Sequence, residues 1–172
     1  MENPLWKALN FNDRSEDEEL TQVLKKVPIF QDLDSKEIQK VSDIVYPREY
    51  KKDEVIFHQG DPGLGMYIIS KGEVEIVEEE NEEPLNQFST LSDNDFLGEM
   101  ALLDDKPRSA TAIARKRCKA LGFFRPELMD LLKKEPKTGN KILLNLAKIL
   151  AERLRENNEY LIELHNKLES DG

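Results

Sequence analysis

A single cysteine, two histidines and no long apolar run set the first limits on this chain of 172 residues. One cysteine, Cys118, cannot make a disulfide framework, a CxxC pair or a four-thiolate cluster. It stands between two apolar-alternating stretches and reads as a buried structural thiol, which also excludes a cysteine-ligated iron–sulfur sensor. No apolar run approaches the roughly 20 residues needed to cross a bilayer, and no basic-then-apolar leader opens the chain. A cytoplasmic protein with no membrane partner is expected. His58 and His165 lie far apart, one near a turn and one on a helix, and neither has an evident carboxylate or nucleophile partner nearby in sequence. No catalytic or metal-ligating set emerges, so the chain is not expected to be an enzyme.

Positive charge is also short. Thirty-five acidic residues against 25 basic ones leave a net charge of −10. A surface of that sign repels a polyphosphate backbone, and the longest basic run, Arg115-Lys116-Arg117, fits a solvated turn. The chain as given ends at Gly172 with no helix-turn-helix, which further argues against a nucleic-acid partner.

What is present changes period twice. Residues 1–15 form a polar arm or short helix with scattered Leu5, Trp6, Leu9 and Phe11. Leu20, Val23, Leu24 and Val27 keep helical spacing, and a second short helix follows Pro28, capped by Asp34 or Ser35 with Glu37 in its first turn. From Ile44 to Phe124 the period falls towards two, with turn signals every 8–12 residues. The turn Gly60-Asp61-Pro62-Gly63 follows a strand at 55–57, and the charged run 78–84 reads as a hairpin tip. Strands resume at 85–91, 110–114 and 120–124. Pro126 opens a helix that closes near Pro136, and one long helix runs from about 138 to 168. The expected fold is α+β: an antiparallel β-roll, jelly-roll-like, with N-terminal helices and a long C-terminal helix. The divisions are an arm and helix at 1–27, the roll at 28–136 and the long helix at 137–172.

The densest chemistry lies between Asp95 and Thr111. Gly98 lets the backbone approach something closely, one helical turn follows, and Pro107-Arg108 re-enters a strand. A helix start behind a glycine favours an anion, and an arginine on a proline-stiffened loop adds a bidentate grip on phosphate. On charge alone, an ordinary Glu99–Arg108 ion pair between two loops explains the segment equally well.

Gly98-Glu99-Met100-Ala101-Leu102 and Pro107-Arg108-Ser109-Ala110-Thr111 resemble the phosphate-binding cassette of the cyclic-nucleotide-binding domain family, which includes protein kinase A regulatory subunits, gated channels and bacterial catabolite activators. The order of strands around Gly60 and Gly72 agrees, and the resemblance covers roughly residues 28–168. It implies a regulatory module whose helices rearrange on binding cyclic AMP, with cyclic GMP as the other candidate. Arg108 would pair with the equatorial phosphate oxygen, and Glu99 would accept the ribose 2′-hydroxyl. The N–H groups near Ala101 and Leu102 would cap the phosphate, beside Gly98 and Met100, and Ser109 would touch phosphate or base. Asn94 stands where the family often has glycine, and Leu97 where an aromatic is common. A protein of the same fold with an idle pocket is the alternative.

On the long helix, Leu143, Ala147, Leu150, Leu154, Asn157, Leu161, Leu164 and Leu168 step by four and three, an a/d seam with one polar member. A parallel homodimer through this helix is expected, with a downstream protein partner that the sequence does not name. Two readings of Asn157 stand: it fixes coiled-coil register, or Asn157-Asn158 meets the base, as a polar pair does in the catabolite-activator relatives.

Overall fold

The computed structural model describes residues 13–80 and 83–170. Of the arm or short helix expected at residues 1–15, residues 1–12 lie outside it, as do the hairpin residues Asn81 and Glu82, while Asp13–Ser15 belong to the first helix. Helix α1 (Asp13–Lys26) leads through a 3₁₀ turn at Pro28–Phe30 to α2 (Ser35–Ser42). Asp34, rather than Ser35, caps α2: its Oδ1 accepts from the N–H groups of Lys36 and Glu37 at 2.9 Å each, and Glu37 Oε2 accepts from Asp34 N–H at 2.8 Å. This reciprocal capping box satisfies donors that a helix start leaves open.

Eight strands follow: β1 (Tyr46–Tyr50), β2 (Val55–Phe57), β3 (Gly65–Lys71), β4 (Val74–Glu80), β5 (Glu83–Leu91), β6 (Phe96–Leu97), β7 (Thr111–Ala114) and β8 (Cys118–Phe124). They form two four-stranded antiparallel sheets, ordered β1-β8-β3-β6 and β2-β7-β4-β5. This is the expected roll. Pro47 and Pro84 both fall on edge strands, where a missing N–H breaks no central ladder.

The charged run lies at the end of the β4–β5 hairpin, as expected: β4 continues to Glu80 and β5 begins at Glu83, in register through Glu79–Pro84. Helix α3 (Arg125–Lys134) closes just before Pro136, also as expected, and Pro136 itself opens α4 (Pro136–Ser170). A proline in the first turn gives up no helical hydrogen bond.

The core joins the helices to the roll. Leu24, Val27 and Ile29 meet Met66, Ile68 and Phe123 of the first sheet, together with Leu128 of α3 and Ile142 and Leu146 of α4. A second cluster, around Ile69, Val74, Ala112 and Cys118, fills the space between the sheets. Burial there pushes the Cys118 thiol up to about 11, as befits a structural thiol.

The face of α4 buried in the core is centred beside the a/d seam, although Leu143 and Leu150 of the seam pack against its edge. Ile142, Asn145, Leu146 and Ile149 turn inward, and Asn145 Nδ2 donates to Ile29 O at 3.3 Å. On the seam, Leu143 and Leu150 are half-buried but Ala147 is exposed. Two adjacent apolar stripes share the first three turns, and the core buries the neighbouring one more deeply. From Ala151 to Glu169 every residue of α4 is exposed, and no helix among the described residues is long and apolar enough to cross a membrane.

Candidate functional site

Strand β6 ends at Leu97, and Gly98 turns the chain with φ at 73°, in the left-handed region that glycine enters freely. Asn94, just before β6, holds φ at 71°, so asparagine does here what a glycine would. Behind Gly98, Glu99–Leu102 make one 3₁₀ turn, closed by Ala101 N–H donating to Gly98 O at 3.2 Å. Glu99, Ala101 and Leu102 are buried, while Met100 is exposed at the rim.

Arg108 returns the chain beneath this turn. It is 8 % exposed, and its Nη1 donates to Gly98 O at 3.2 Å. Its guanidinium lies 4.2 Å from the centre of the Phe57 ring, a cation–π contact. Its Nε is buried with no hydrogen-bond partner. Burial lowers the Arg108 pKa from its ordinary value, with Tyr67, Asp61 and Glu99 acting in the opposite sense. From so high a starting point the group remains a cation. A buried cation with an unused donor is costly unless an anion meets it.

The simple Glu99–Arg108 ion pair is not what forms. Glu99 is paired instead with Arg153 of α4, whose guanidinium lies 5.2 Å from the centre of the Phe96 ring. Arg153 is the cavity residue that sequence reading missed. Its signal was only a basic side chain four residues before Asn157, one among many charges on that helix.

These groups line one cavity of about 900 Å³. Gly98 to Ala101 and Pro107 to Ala110 form its floor, the apolar side chains of Phe57, Ile76 and Leu97 one wall, and Phe88 of β5 another. Leu150, Arg153, Leu154 and Asn157 of α4 close the far side. Of the proposed site residues, Gly98, Glu99, Met100, Ala101, Arg108, Ser109 and Asn157 all line it. Leu102 is buried just behind it. Asn158 lies outside the lining and is exposed: the next residue along a helix is turned by about 100°.

The histidines need a correction too, for each has a carboxylate partner. His58 Nδ1 is 3.1 Å from both oxygens of Glu79, 21 residues away, and His165 Nε2 is 3.3 Å from Glu169 on its own helix. Both remain surface side chains. Arg115, Lys116 and Arg117 pair with Glu75, Glu73 and Glu49, so this basic run is neutralised where it stands.

Fold and cavity together define a ligand-binding β-roll with a buried arginine under a largely apolar cleft. The chain belongs to the cyclic nucleotide-binding domain family, whose sequence profile matches residues 47–135, just over half its length. It is 32 % identical over 133 residues to the cyclic AMP receptor protein of Thermus thermophilus, an alignment covering 77 % of this chain and 60 % of that protein. Over 109 residues it is 35 % identical to a cAMP-dependent protein kinase regulatory subunit of Emericella nidulans, covering 63 % of this chain and 26 % of that one. The chain thus spans less than two thirds of the length of either relative. Among solved structures, a cyclic nucleotide-binding domain from Methylobacillus flagellatus superposes with a TM-score of 0.73 at 26 % identity, covering 86 % of this chain and 83 % of that one.

Proposed function

We propose that this protein is a regulatory module that binds cyclic AMP in the cavity between the cassette and α4, without catalytic chemistry of its own. The observation that carries the reading is Arg108, a buried guanidinium with an unpartnered Nε at the floor of an apolar cleft. A cyclic phosphate supplies the charge and the acceptors this group lacks. In this reading Arg108 holds the equatorial oxygen and Gly98 admits the phosphate. The N–H groups around Ala101 and Leu102 cap it, sharing the long Ala101 bond to Gly98. Glu99 accepts the 2′-hydroxyl, Ser109 adds a hydroxyl beside the phosphate, and the Asn157 amide meets the base.

The exposed leucines of α4 support a second element. Leu154, Leu161 and Leu168 are 61 %, 59 % and 70 % exposed, in heptad register, and the last two lie beyond the cavity lining. Two copies pairing along this stripe would cover them, with Asn157 at a seam position. Ligand that binds one arrangement of α4 more tightly than another shifts the balance between them, which is the signal a downstream protein would read. A cytoplasmic setting fits the lone, unpaired cysteine.

A thermal-shift titration with cyclic AMP and cyclic GMP tests the reading. At about 100 times its dissociation constant the ligand adds roughly 2.7 kcal/mol, a rise of several degrees. Arg108→Ala abolishes that rise. No shift with either nucleotide would leave a fold of this family with an idle pocket, and a larger shift with cyclic GMP would reverse the choice of base.

A further inference from the structure

The arginine of the cavity is held from behind by side chains that the functional reading does not use. Its loop is bracketed by the turn at 58–63. Gly60 N–H donates to Arg108 O at 2.9 Å, Arg108 N–H donates to Asp61 O at 2.8 Å, and Pro62 bridges Pro107 beside them. Whatever fixes this turn therefore fixes the main chain of Arg108.

Four side chains fix it. Gln59 N–H donates to Thr111 Oγ1 at 2.8 Å, and Glu79 N–H donates to Gln59 Oε1 at 3.0 Å. The Thr111 hydroxyl donates in turn to the Glu79 carboxylate, and His58 Nδ1 meets both oxygens of that carboxylate. Glu79 on β4 thus gathers the turn through His58 and β7 through Thr111. The carboxylate is one-tenth exposed and the imidazole half exposed, so the acid is inside and the ring faces water.

We propose that His58 and Glu79 are positioning residues of the pocket: their contact, closed through Thr111 and Gln59, holds the Arg108 loop in register and tightens when His58 gains a proton. The proposal rests on the reading of the cavity as a cyclic-nucleotide site. The neutral imidazole already donates to a charged carboxylate, and protonation turns that hydrogen bond into an ion pair. The charged groups around the ring are Glu79 from β4 and Asp61 from its own turn, which accepts His58 N–H at 2.8 Å. From β7 the cluster receives the uncharged Thr111, and Arg108 is the cation beyond Asp61. Glu79 sits below its ordinary value, first through the Thr111 hydroxyl and then through His58, which favours its ionised form.

Calorimetric titration of the full chain with cyclic AMP, from about pH 5.5 to 8 where histidine changes charge, reads the effect. Neither the phosphodiester nor the purine titrates in that range. The wild type binds about two- to fivefold more tightly at the acid end, the scale of a partly exposed ion pair. His58→Gln keeps a donor for the fold and loses the pH dependence. Glu79→Gln also loses it, whereas a general attraction between an imidazolium and the ligand's phosphate would survive there. A flat wild-type profile, or a slope that persists in either variant, overturns the proposal while the nucleotide reading stands. No binding at any pH overturns both.

Discussion

Glu99 of the cassette turn and Arg153 of α4 are 54 residues apart in sequence and form one ion pair at the mouth of the cavity. The carboxylate is nearly buried and the guanidinium is half exposed, so α4 is tied to the group proposed to receive the ribose hydroxyl. Removing the arginine leaves a buried charge without its partner.

Arg153→Ala should therefore lower stability by about 1–2 kcal/mol, a figure kept small because water screens the exposed partner. The local effect should exceed the global one. Hydrogen exchange of the α4 amides beyond Leu150 should speed up, and Arg153→Lys should restore part of the protection. Unchanged exchange in Arg153→Ala would mean that the ion pair does not hold the helix.

Gly98 and Gly65 should respond differently to alanine. At Gly98 the added Cβ would lie 2.4 Å from Arg108 Nη1, the far end of a side chain that can swing aside. The positive φ costs about 1–2 kcal/mol, but the displaced guanidinium is the proposed phosphate-binding group, so affinity for cyclic AMP should fall at least tenfold. At Gly65 the Cβ would meet main-chain atoms, Phe123 O at 2.4 Å and Phe124 Cα at 2.5 Å, which cannot yield without moving β8. Melting curves and ligand titrations on both variants should show a binding defect in one and a folding defect in the other.

Arg108→Met should abolish nucleotide binding and leave the unliganded protein at least as stable as the wild type. The guanidinium is buried with one donor unused, and a thioether chain fills similar space without that burial cost. A variant that melts well below the wild type would mean that Arg108 is a structural ion rather than a binding group.

Glu37 anchors the start of α4 to α2. Its carboxylate accepts from Lys141 Nζ at 2.6 Å, and the lysine, then the Asp34 N–H, hold its pKa below the ordinary carboxylate value. A carboxylate lowered in the fold stabilises it fully above the unfolded value, near 4.3, and loses that contribution as pH falls through the lowered folded value. Glu37→Gln should cost about 1–2 kcal/mol at pH 7 and progressively less below about pH 4. Urea midpoints measured across that range check the convergence.

Leu161→Glu should convert a dimer to a monomer. It places a charge in the middle of the exposed α4 stripe, where no contact with the roll exists to be lost. Sedimentation velocity on both forms reads the change, and a wild type that sediments as a monomer at high concentration would remove the dimer.

What the sequence made legible was local. The cassette needs Gly98 for one backbone angle, and Arg108 follows it within a dozen residues, so both the turn and its charge stand in a single segment. Asn94 was readable for the same reason. The partners that complete the site were not local: Arg153 reaches Glu99, and Glu79 reaches His58, only because the sheets and α4 bring them together. Hydropathy also failed to choose between two adjacent stripes of α4. Leu143-Ala147-Leu150 and Ile142-Leu146-Ile149 both satisfy helical spacing, and only the shape of the roll decides that Ile142 and Leu146 are buried while Leu143 and Leu150 lie at the edge.

In the proposed reading α4 would serve as a lever with its fulcrum at the Glu99 contact. At about 1.5 Å per residue, the arm from Arg153 to its last described residue is about 25 Å long. A tilt of about 10° at the Glu99 contact would therefore carry the far end through about 4 Å, roughly the rise of three helical residues. A displacement too small to disturb the packing around Phe96 would become, at Leu168, the difference between meeting a partner and missing it.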